Sequence, residues 1–214
     1  MPLTSARTVL VPPERLDRWF VNFAGRHGPV EYAAGPCSLL CRAADGALAE
    51  AVLPLGQVYR GRSTPDGFAA AAAVELCWGI LLVRKGGFAV ATLAGAAMSA
   101  SKVGQRHVQG RTKAGGQSQQ RFARRRDNQA RQAYEAAAEH AHRLLVAESR
   151  PLEALICGGD RQAVDAVLTD PRLTRVAARR TDPWLPVPDP RRAVLVQAAI
   201  DGRSVTVHLT DPSS

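Results

Sequence analysis

The sequence has few cysteines and no long apolar run. Cys37, Cys41, Cys77 and Cys157 are the only four in 214 residues, too few and too scattered for a disulfide scaffold, so we expect reduced thiols that mostly pack. The longest uncharged run, 86–101, is shorter than the roughly 20 apolar residues of a spanning helix. The amino-terminal apolar patch is also too short for a secretory signal. We therefore expect a cytoplasmic protein with no membrane segment.

Several catalytic signatures are missing as well. The chain has no GxSxG, no P-loop and no HExxH, so serine hydrolases, nucleotidases and metalloproteases lack their characteristic parts. Cys37 and Cys41 have no second Cys or His pair to complete a zinc site, which favours packing in a hairpin. His140 and His142 are two residues apart on a predicted helix and point to different faces. We expect neither a metal nor a cofactor.

What the chain does have is apolar content and positive charge. Hydrophobic residues make up 46% and charged residues 22%, a composition that can bury a sizeable core. The 28 Lys and Arg minus the 19 Asp and Glu give +9, and the sequence pI is near 10.2. Acidic partners such as nucleic acid or anionic lipid are therefore favoured.

Local patterns predict an α/β fold, with a mixed sheet covered by helices. Residues 1–64 form a small α/β element with a helix at 14–24 and a hairpin at 37–55, and the segment 61–67 is the best linker. Residues 65–214 form the main domain, with prolines 183 to 190 in a stiff surface loop. Its predicted elements are a hairpin at 76–93, a long helix at 118–148, a strand at 154–157, a helix at 161–168, an extended piece at 173–178, a helix at 191–200 and a strand at 204–209.

Nearly all of the net charge lies in one short stretch. Nine basic residues against Asp127 give +8 within 101–131, on a glycine-rich loop and the first turns of the long helix. Such a run is usually a solvated face, but like charges this close repel, which favours a polyanion among them. A phosphate backbone fits, with affinity that falls as salt rises. The nine are Lys102, Arg106, Arg111, Lys113, Arg121, Arg124, Arg125, Arg126 and Arg131.

A Gly-Gly-Gln triplet lies at the tip of this basic loop. The sequence RTKAGGQSQQRFARRRDNQ resembles the tip of the middle domain of eukaryotic and archaeal class I peptide-chain release factors. The matching residues are Gly115, Gly116, Gln117, Ser118, Arg121, Phe122, Ala123, Arg124 and Arg126. The similarity covers about 70–210 and is strongest at 111–131, and it implies that 65–214 is a release-factor-like GGQ domain.

The same resemblance implies peptide release without decoding. Those factors carry a codon-reading domain and a further carboxy-terminal domain, which 214 residues cannot hold together with the middle domain. The chain is therefore most similar to the Vms-type release-factor-like proteins of ribosome quality control, in a short bacterial form. The implied partners are peptidyl-tRNA and the RNA of the large ribosomal subunit, approached by a monomer.

The resemblance also assigns roles to residues. Gly115, Gly116 and Gln117 would be catalytic, with the backbone N–H of Gln117 as the important donor and its side chain shaping the water pocket. Glycine also lets the main chain approach RNA closely. The RNA-binding residues would be Lys102, Arg106, His107, Arg111, Lys113, Arg121, Arg124, Arg125 and Arg126.

Three functions remain open from the sequence. The first is hydrolysis of the peptidyl-tRNA ester. The second is endonucleolytic cleavage near the tRNA 3′ CCA end, in which a neighbouring 2′-hydroxyl attacks phosphorus and His107 or an arginine assists. His107 could act as acid or base, although such a histidine is more often another phosphate contact. The third is a ribosome- or RNA-binding module without catalysis. The state of the tRNA 3′ end after release separates the two enzymes.

Overall fold

The computed structural model describes residues 7–85, 87–105, 131–146 and 150–211. The strands are β1 Arg7–Val11, β2 Val30–Ala34, β3 Ser38–Ala43, β4 Leu48–Val52, β5 Cys77–Arg84, β6 Gly87–Ala94, β7 Ala97–Gln105, β8 Ala154–Gly159, β9 Arg180–Leu185 and β10 Val205–Thr210. The α-helices are α1 Leu16–His27, α2 Pro65–Ala72, α3 over 131–141, α4 Arg161–Leu168, α5 Thr174–Ala177 and α6 Arg192–Arg203. Short 3-10 helices span Pro13–Arg15 and Pro171–Leu173, and a π-helical turn spans His142–Val146.

The chain divides into two compact units, Met1–Glu75 with Ile200–Ser214, and Leu76–Ala199. Each contains a five-stranded sheet with helices. In the second unit β5, β6 and β7 form an antiparallel meander, while β8 and β9 run parallel to β5. The predicted α/β class with a mixed sheet is therefore confirmed.

The first unit has an antiparallel sheet in the order β1-β10-β4-β3-β2. Leu16, Phe20 and Phe23 recur at helical spacing on α1 and are buried, as their spacing predicts. Cys41 lies in this core, with no exposed surface, so its predicted packing role is confirmed. The same prediction is wrong for Cys37, which is exposed and precedes β3.

The division into units differs from the expected boundary after residue 64. The segment 61–67 resembles a linker, but Thr64 caps α2 by accepting a hydrogen bond from the N–H of Gly67. Phe68 of α2 then packs edge-to-face with Phe20, at 6.3 Å between ring centroids. At the other terminus, β10 pairs between β1 and β4 and so belongs to the first unit. Pairing over such a sequence separation leaves no local pattern.

The core of the second unit lies between one face of its sheet and three helices. Ala137, Ala141 and Leu145 follow one stripe of α3 and the turn after it, and they pack with Leu81 and Val83 of β5. β5 is buried on both faces, as expected for a strand that forms a parallel pair under helices. The predicted long helix is confirmed over 131–141, and its remainder before 131 and over 147–148 lies outside the described residues.

Two predictions for the second unit are wrong. Residues 173–178 were expected to be extended, but Leu173 ends a 3-10 helix and Thr174 begins α5. Leu173 and Val176 are three residues apart and both buried, which is helical spacing. The expected proline loop begins in β9 instead, because an edge strand tolerates Pro183.

Within the described ranges, no helix combines the length and the apolar character needed to cross a bilayer.

Candidate functional site

Lys102 is the one predicted site residue that the structure describes. It lies on β7 and is exposed, so it belongs to a strand and not to the predicted loop. The other predicted site residues lie outside the described residues: Arg106, His107, Arg111, Lys113, Gly115, Gly116, Gln117, Arg121, Arg124, Arg125 and Arg126.

The described chain on either side of these residues meets one edge of the second sheet. β7 ends at Gln105, opposite Gly87 at the start of β6. β8 ends at the same edge, because Gly159 pairs with Val83 near the end of β5. We call this edge, formed by the carboxyl ends of β5, β7, β8 and β9, the carboxyl edge.

The described part of helix α3 also begins near the carboxyl edge. Tyr134, in its first described turn, has a pKa raised by burial and by the carboxylate of Asp160, which directly follows β8. Further along, Leu145 approaches Gly79 at the opposite end of β5, where an added Cβ would lie 2.8 Å from Leu145 Cδ2. The described residues on the two sides of 106–130, the end of β7 and the first described turn of α3, therefore lie at the same edge.

A basic cluster lies where β7 and α3 face each other. Lys102 is paired in register with Val90, whose side chain belongs to the core under α3. In the π-helical turn after α3, the guanidinium of Arg143 donates to Nδ1 of His140 at 2.6 Å. Because arginine can only donate, this contact places the proton of a neutral His140 on Nε2.

The pKa of His140 is lowered, first by burial and then by the positive charges of Arg143 and Lys102, against a smaller opposing effect of Glu139. The cluster therefore places two positively charged side chains beside a histidine whose protonation is disfavoured. Arg131 and Lys85, both exposed, add positive charge near the carboxyl edge. This is the sign that a phosphate backbone requires.

An ion-pair network fixes α3 from its outer side. Arg172 donates to Glu139 of α3 and to Asp170, at 2.8 Å in each case. These contacts lower the pKa of Glu139 and lower that of Asp170 to about 2. Exposed pairs are individually weak, but a planar guanidinium shared by two carboxylates also sets orientation.

The turn after β8 is built by two glycines and a cap. Gly159 has φ +94°, and a Cβ there would lie 2.3 Å from the carbonyl oxygen of Val83. Asp160 then caps α4, since its Oδ1 accepts from the N–H of Gln162 at 3.0 Å and of Ala163 at 3.3 Å. The segment LEALICGGD thus has a structural role at the carboxyl edge.

Sequence reasoning missed one further feature. The indole of Trp184 on β9 lies under two guanidinium groups, with Cζ of Arg161 at 4.4 Å and Cζ of Arg180 at 5.1 Å from its centroid. These residues line a cavity. The sequence offered two signals, Arg161 after the glycines that end β8 and Trp184 among prolines. No local pattern predicts that these two residues are in contact.

No group of three or more His, Cys, Asp or Glu side chains suited to a metal occurs in the described parts of the chain. Cys157 is buried, and burial raises the pKa of its thiol to about 12, so it is a packing group at neutral pH.

Comparison with known protein families supplies an independent result. The model of a family described as the Actinobacteria/chloroflexi VLRF1 release factor matches residues 77–208. The match begins at the first residue of β5 and spans the basic stretch, α3 and the carboxyl edge. No curated protein matches the chain.

Proposed function

Because the chain belongs to the VLRF1 release factors of actinobacteria and chloroflexi, we propose that it hydrolyses peptidyl-tRNA on stalled ribosomes or large subunits without reading a stop codon. One observation carries the proposal. The Gly-Gly-Gln triplet at 115–117 stands in an arginine-rich segment inside the matched region, and the described chain on both sides of that segment meets the carboxyl edge. The positive charge of this segment suits an RNA partner.

The chemistry requires little from side chains. A water oxygen attacks the carbonyl carbon of the ester, the bond from that carbon to the ribose oxygen breaks, and the ribose oxygen takes up the proton that the water loses, which leaves a free hydroxyl on the tRNA. Catalysis then needs a placed water and a donor for the oxygen that gains negative charge. The backbone N–H of Gln117 supplies the donor, and its side chain shapes the water pocket. Gly115 and Gly116 allow the close approach.

The basic residues position the chain and take no part in the reaction. Arg121, Arg124, Arg125 and Arg126 face phosphates of the large subunit or of the tRNA, and Lys102, Arg106, His107, Arg111 and Lys113 flank the triplet. Contacts of this kind set register on RNA without reading sequence. The protein acts as a monomer in the cytoplasm, where its ribosomal substrate is found.

The test uses purified large subunits that carry labelled peptidyl-tRNA, with peptide and tRNA resolved on one gel and the tRNA 3′ end analysed. Wild type should release peptide and leave an intact CCA end. Gly116→Ala should lose release. Gly25→Ala is the matched control, because Gly25 lies on α1 and a Cβ there meets no atom within 4 Å.

The other outcomes reassign the protein. A shortened tRNA would replace hydrolysis with cleavage of the CCA end. Absence of release from whole ribosomes, split subunits and free peptidyl-tRNA would leave a binding module without catalysis.

A further inference from the structure

The cavity beside Trp184 lies between the start of α4 and β9, the strand at one edge of the second sheet. It has a volume of about 280 Å³ and is lined by Arg161, Arg180, Thr181, Asp182 and Trp184. All five residues come from two elements, the first turn of α4 and the edge strand β9. The volume is close to the lower limit, about 300 Å³, of cavities that hold small ligands.

The arginines of this cavity differ in how they are held. Arg180 donates to Asp165 of α4 at 2.6 Å while its Cζ lies 5.1 Å from the indole centroid. Arg161 is exposed, lies closer to the indole, and makes no ion pair with another described residue. Stacking on an indole restrains a guanidinium while its N–H groups still point outward.

The balance of charge argues against a bare anion as the ligand. The carboxylates of Asp165 and Asp182 offset the charges of Arg161 and Arg180, so the cavity has little net charge. What remains is a flat layer of indole and guanidinium, with polar groups at its rim. Unstacked RNA bases bind to such layers, and their phosphates bind to arginine.

We propose that the Trp184 cavity binds one unstacked nucleotide of single-stranded RNA, with the base on the layer of Trp184 and Arg161 and the adjoining phosphate on the outward N–H groups of Arg161. This would be a second RNA contact, separate from the Gly-Gly-Gln segment. It rests on the proposed function only for the choice of RNA as the source of the nucleotide.

The test reads the cavity locally, because the arginine-rich segment will also bind RNA. The chain has three tryptophans, so the indole N–H signal of Trp184 can be assigned in an NMR spectrum with Trp184→Phe. A short single-stranded oligoadenylate is titrated into the full-length protein. The Trp184 signal should shift and saturate.

Two exposed arginines provide the matched variants. Arg161→Gln should weaken binding at the Trp184 signal about tenfold, the effect of losing one stacked contact. Arg175→Gln removes the same charge from α5, outside the cavity. It should change the affinity measured at the Trp184 signal less than twofold. Inorganic phosphate, added at the concentration of phosphate groups present in the oligoadenylate titration, should not shift the Trp184 signal.

Three results would overturn the proposal: a Trp184 signal that RNA does not move, equal weakening by Arg161→Gln and Arg175→Gln, or the same shift with phosphate alone. Peptide release is measured on the same preparations. A wild type that releases no peptide but shows the Arg161-dependent shift would reject the hydrolase and keep the nucleotide site.

Discussion

The ring of Phe88 on β6 fills the space that a side chain at Gly104 of β7 would need. The two residues are paired in register, and a Cβ at Gly104 would lie 2.3 Å from Cε1 of Phe88. The same ring packs on His140 of α3, with 5.4 Å between centroids. Gly104 stands one residue before β7 ends, so this contact holds the strand that leads toward the Gly-Gly-Gln triplet against the helix that follows it.

Gly104→Ala should therefore destabilise the protein and slow release. Overpacking of a well-filled core costs about 1–3 kcal/mol, because the Phe88 ring cannot move without disturbing His140. Urea denaturation measures the free energy of unfolding, and the large-subunit assay measures release. Gly25→Ala should lower neither.

A double variant makes this prediction specific. The double variant Gly104→Ala with Phe88→Leu should lose less stability than the sum of the losses in the two single variants. The effects of substituting two residues in contact are not additive. Strict additivity would mean that the clash is relieved elsewhere.

Local patterns predicted the elements with strong periodicity. The β5–β6 hairpin and the turn between Arg84 and Gly87 follow from β-forming residues around a basic-glycine break. Helix α4 has the predicted bounds, with buried apolar residues at Ala163, Val164 and Val167. In these segments, local preference and burial point to the same structure.

Strands that depend on distant partners were not predictable in this way. β7 has few large apolar side chains, only Met98 and Val103, and it forms because β6 supplies its hydrogen bonds. β9 includes Pro183 and pairs with a strand more than twenty residues earlier in the chain. For the same reason the basic charge around the triplet could be predicted, whereas the cluster of Lys102, His140 and Arg143 could not.

Arg172→Gln should remove an acid-sensitive part of the stability. The pKa of Asp170 falls from its ordinary 3.8 to about 2 beside Arg172, and that of Glu139 is also lowered. A carboxyl group whose pKa is lower in the folded state than in the unfolded state stabilises the fold at any pH above its unfolded-state pKa. This contribution is lost as pH falls from about 4 toward 2. The difference between wild type and Arg172→Gln should thus be larger at pH 7 than at pH 3.

Urea denaturation at pH 7, 4 and 3 checks this dependence. Arg175→Gln removes an exposed arginine from the neighbouring helix and should show no such change with pH. A gap between wild type and Arg172→Gln that stays constant from pH 7 to pH 3 would contradict the assigned network.

Replacement of Asp160 should separate its capping role from its charge. Asp160→Ala leaves the N–H groups of Gln162 and Ala163 without their acceptor and should cost about 1 kcal/mol. Asp160→Asn keeps an oxygen that can accept and should remain near wild type. Thermal unfolding of wild type and the two variants distinguishes the capping role from the effect of charge. Equal losses of stability in Asp160→Ala and Asp160→Asn would assign the effect to the negative charge.

The titration of His140 should respond to Lys102. Burial, Arg143 and Lys102 together lower its pKa below 6.5, so the neutral ring stabilises the fold at neutral pH and that contribution is lost as pH falls through the lowered pKa. Lys102→Gln removes one positive charge and should raise the pKa of His140 toward 6.5. NMR titration of the ring measures it, with Lys85→Gln as a control that should leave the pKa unchanged. An unaltered His140 in Lys102→Gln would place Lys102 too far away to form the cluster.

Substitution of Arg124 should weaken RNA binding, whereas substitution of Gly116 should abolish catalysis. If Arg124 contacts an RNA phosphate, Arg124→Gln removes one released counterion, and the slope of log affinity against log salt should become less steep by about 0.7–0.9. Gly116→Ala keeps every charge, so its salt slope should match wild type while release is lost. Affinity for the large-subunit complex is measured at four salt concentrations, and release is measured at saturating protein.

A Gly116→Ala protein that binds with an altered salt slope would place Gly116 in RNA binding. Full release by Gly116→Ala at saturating protein would show that the triplet is not catalytic.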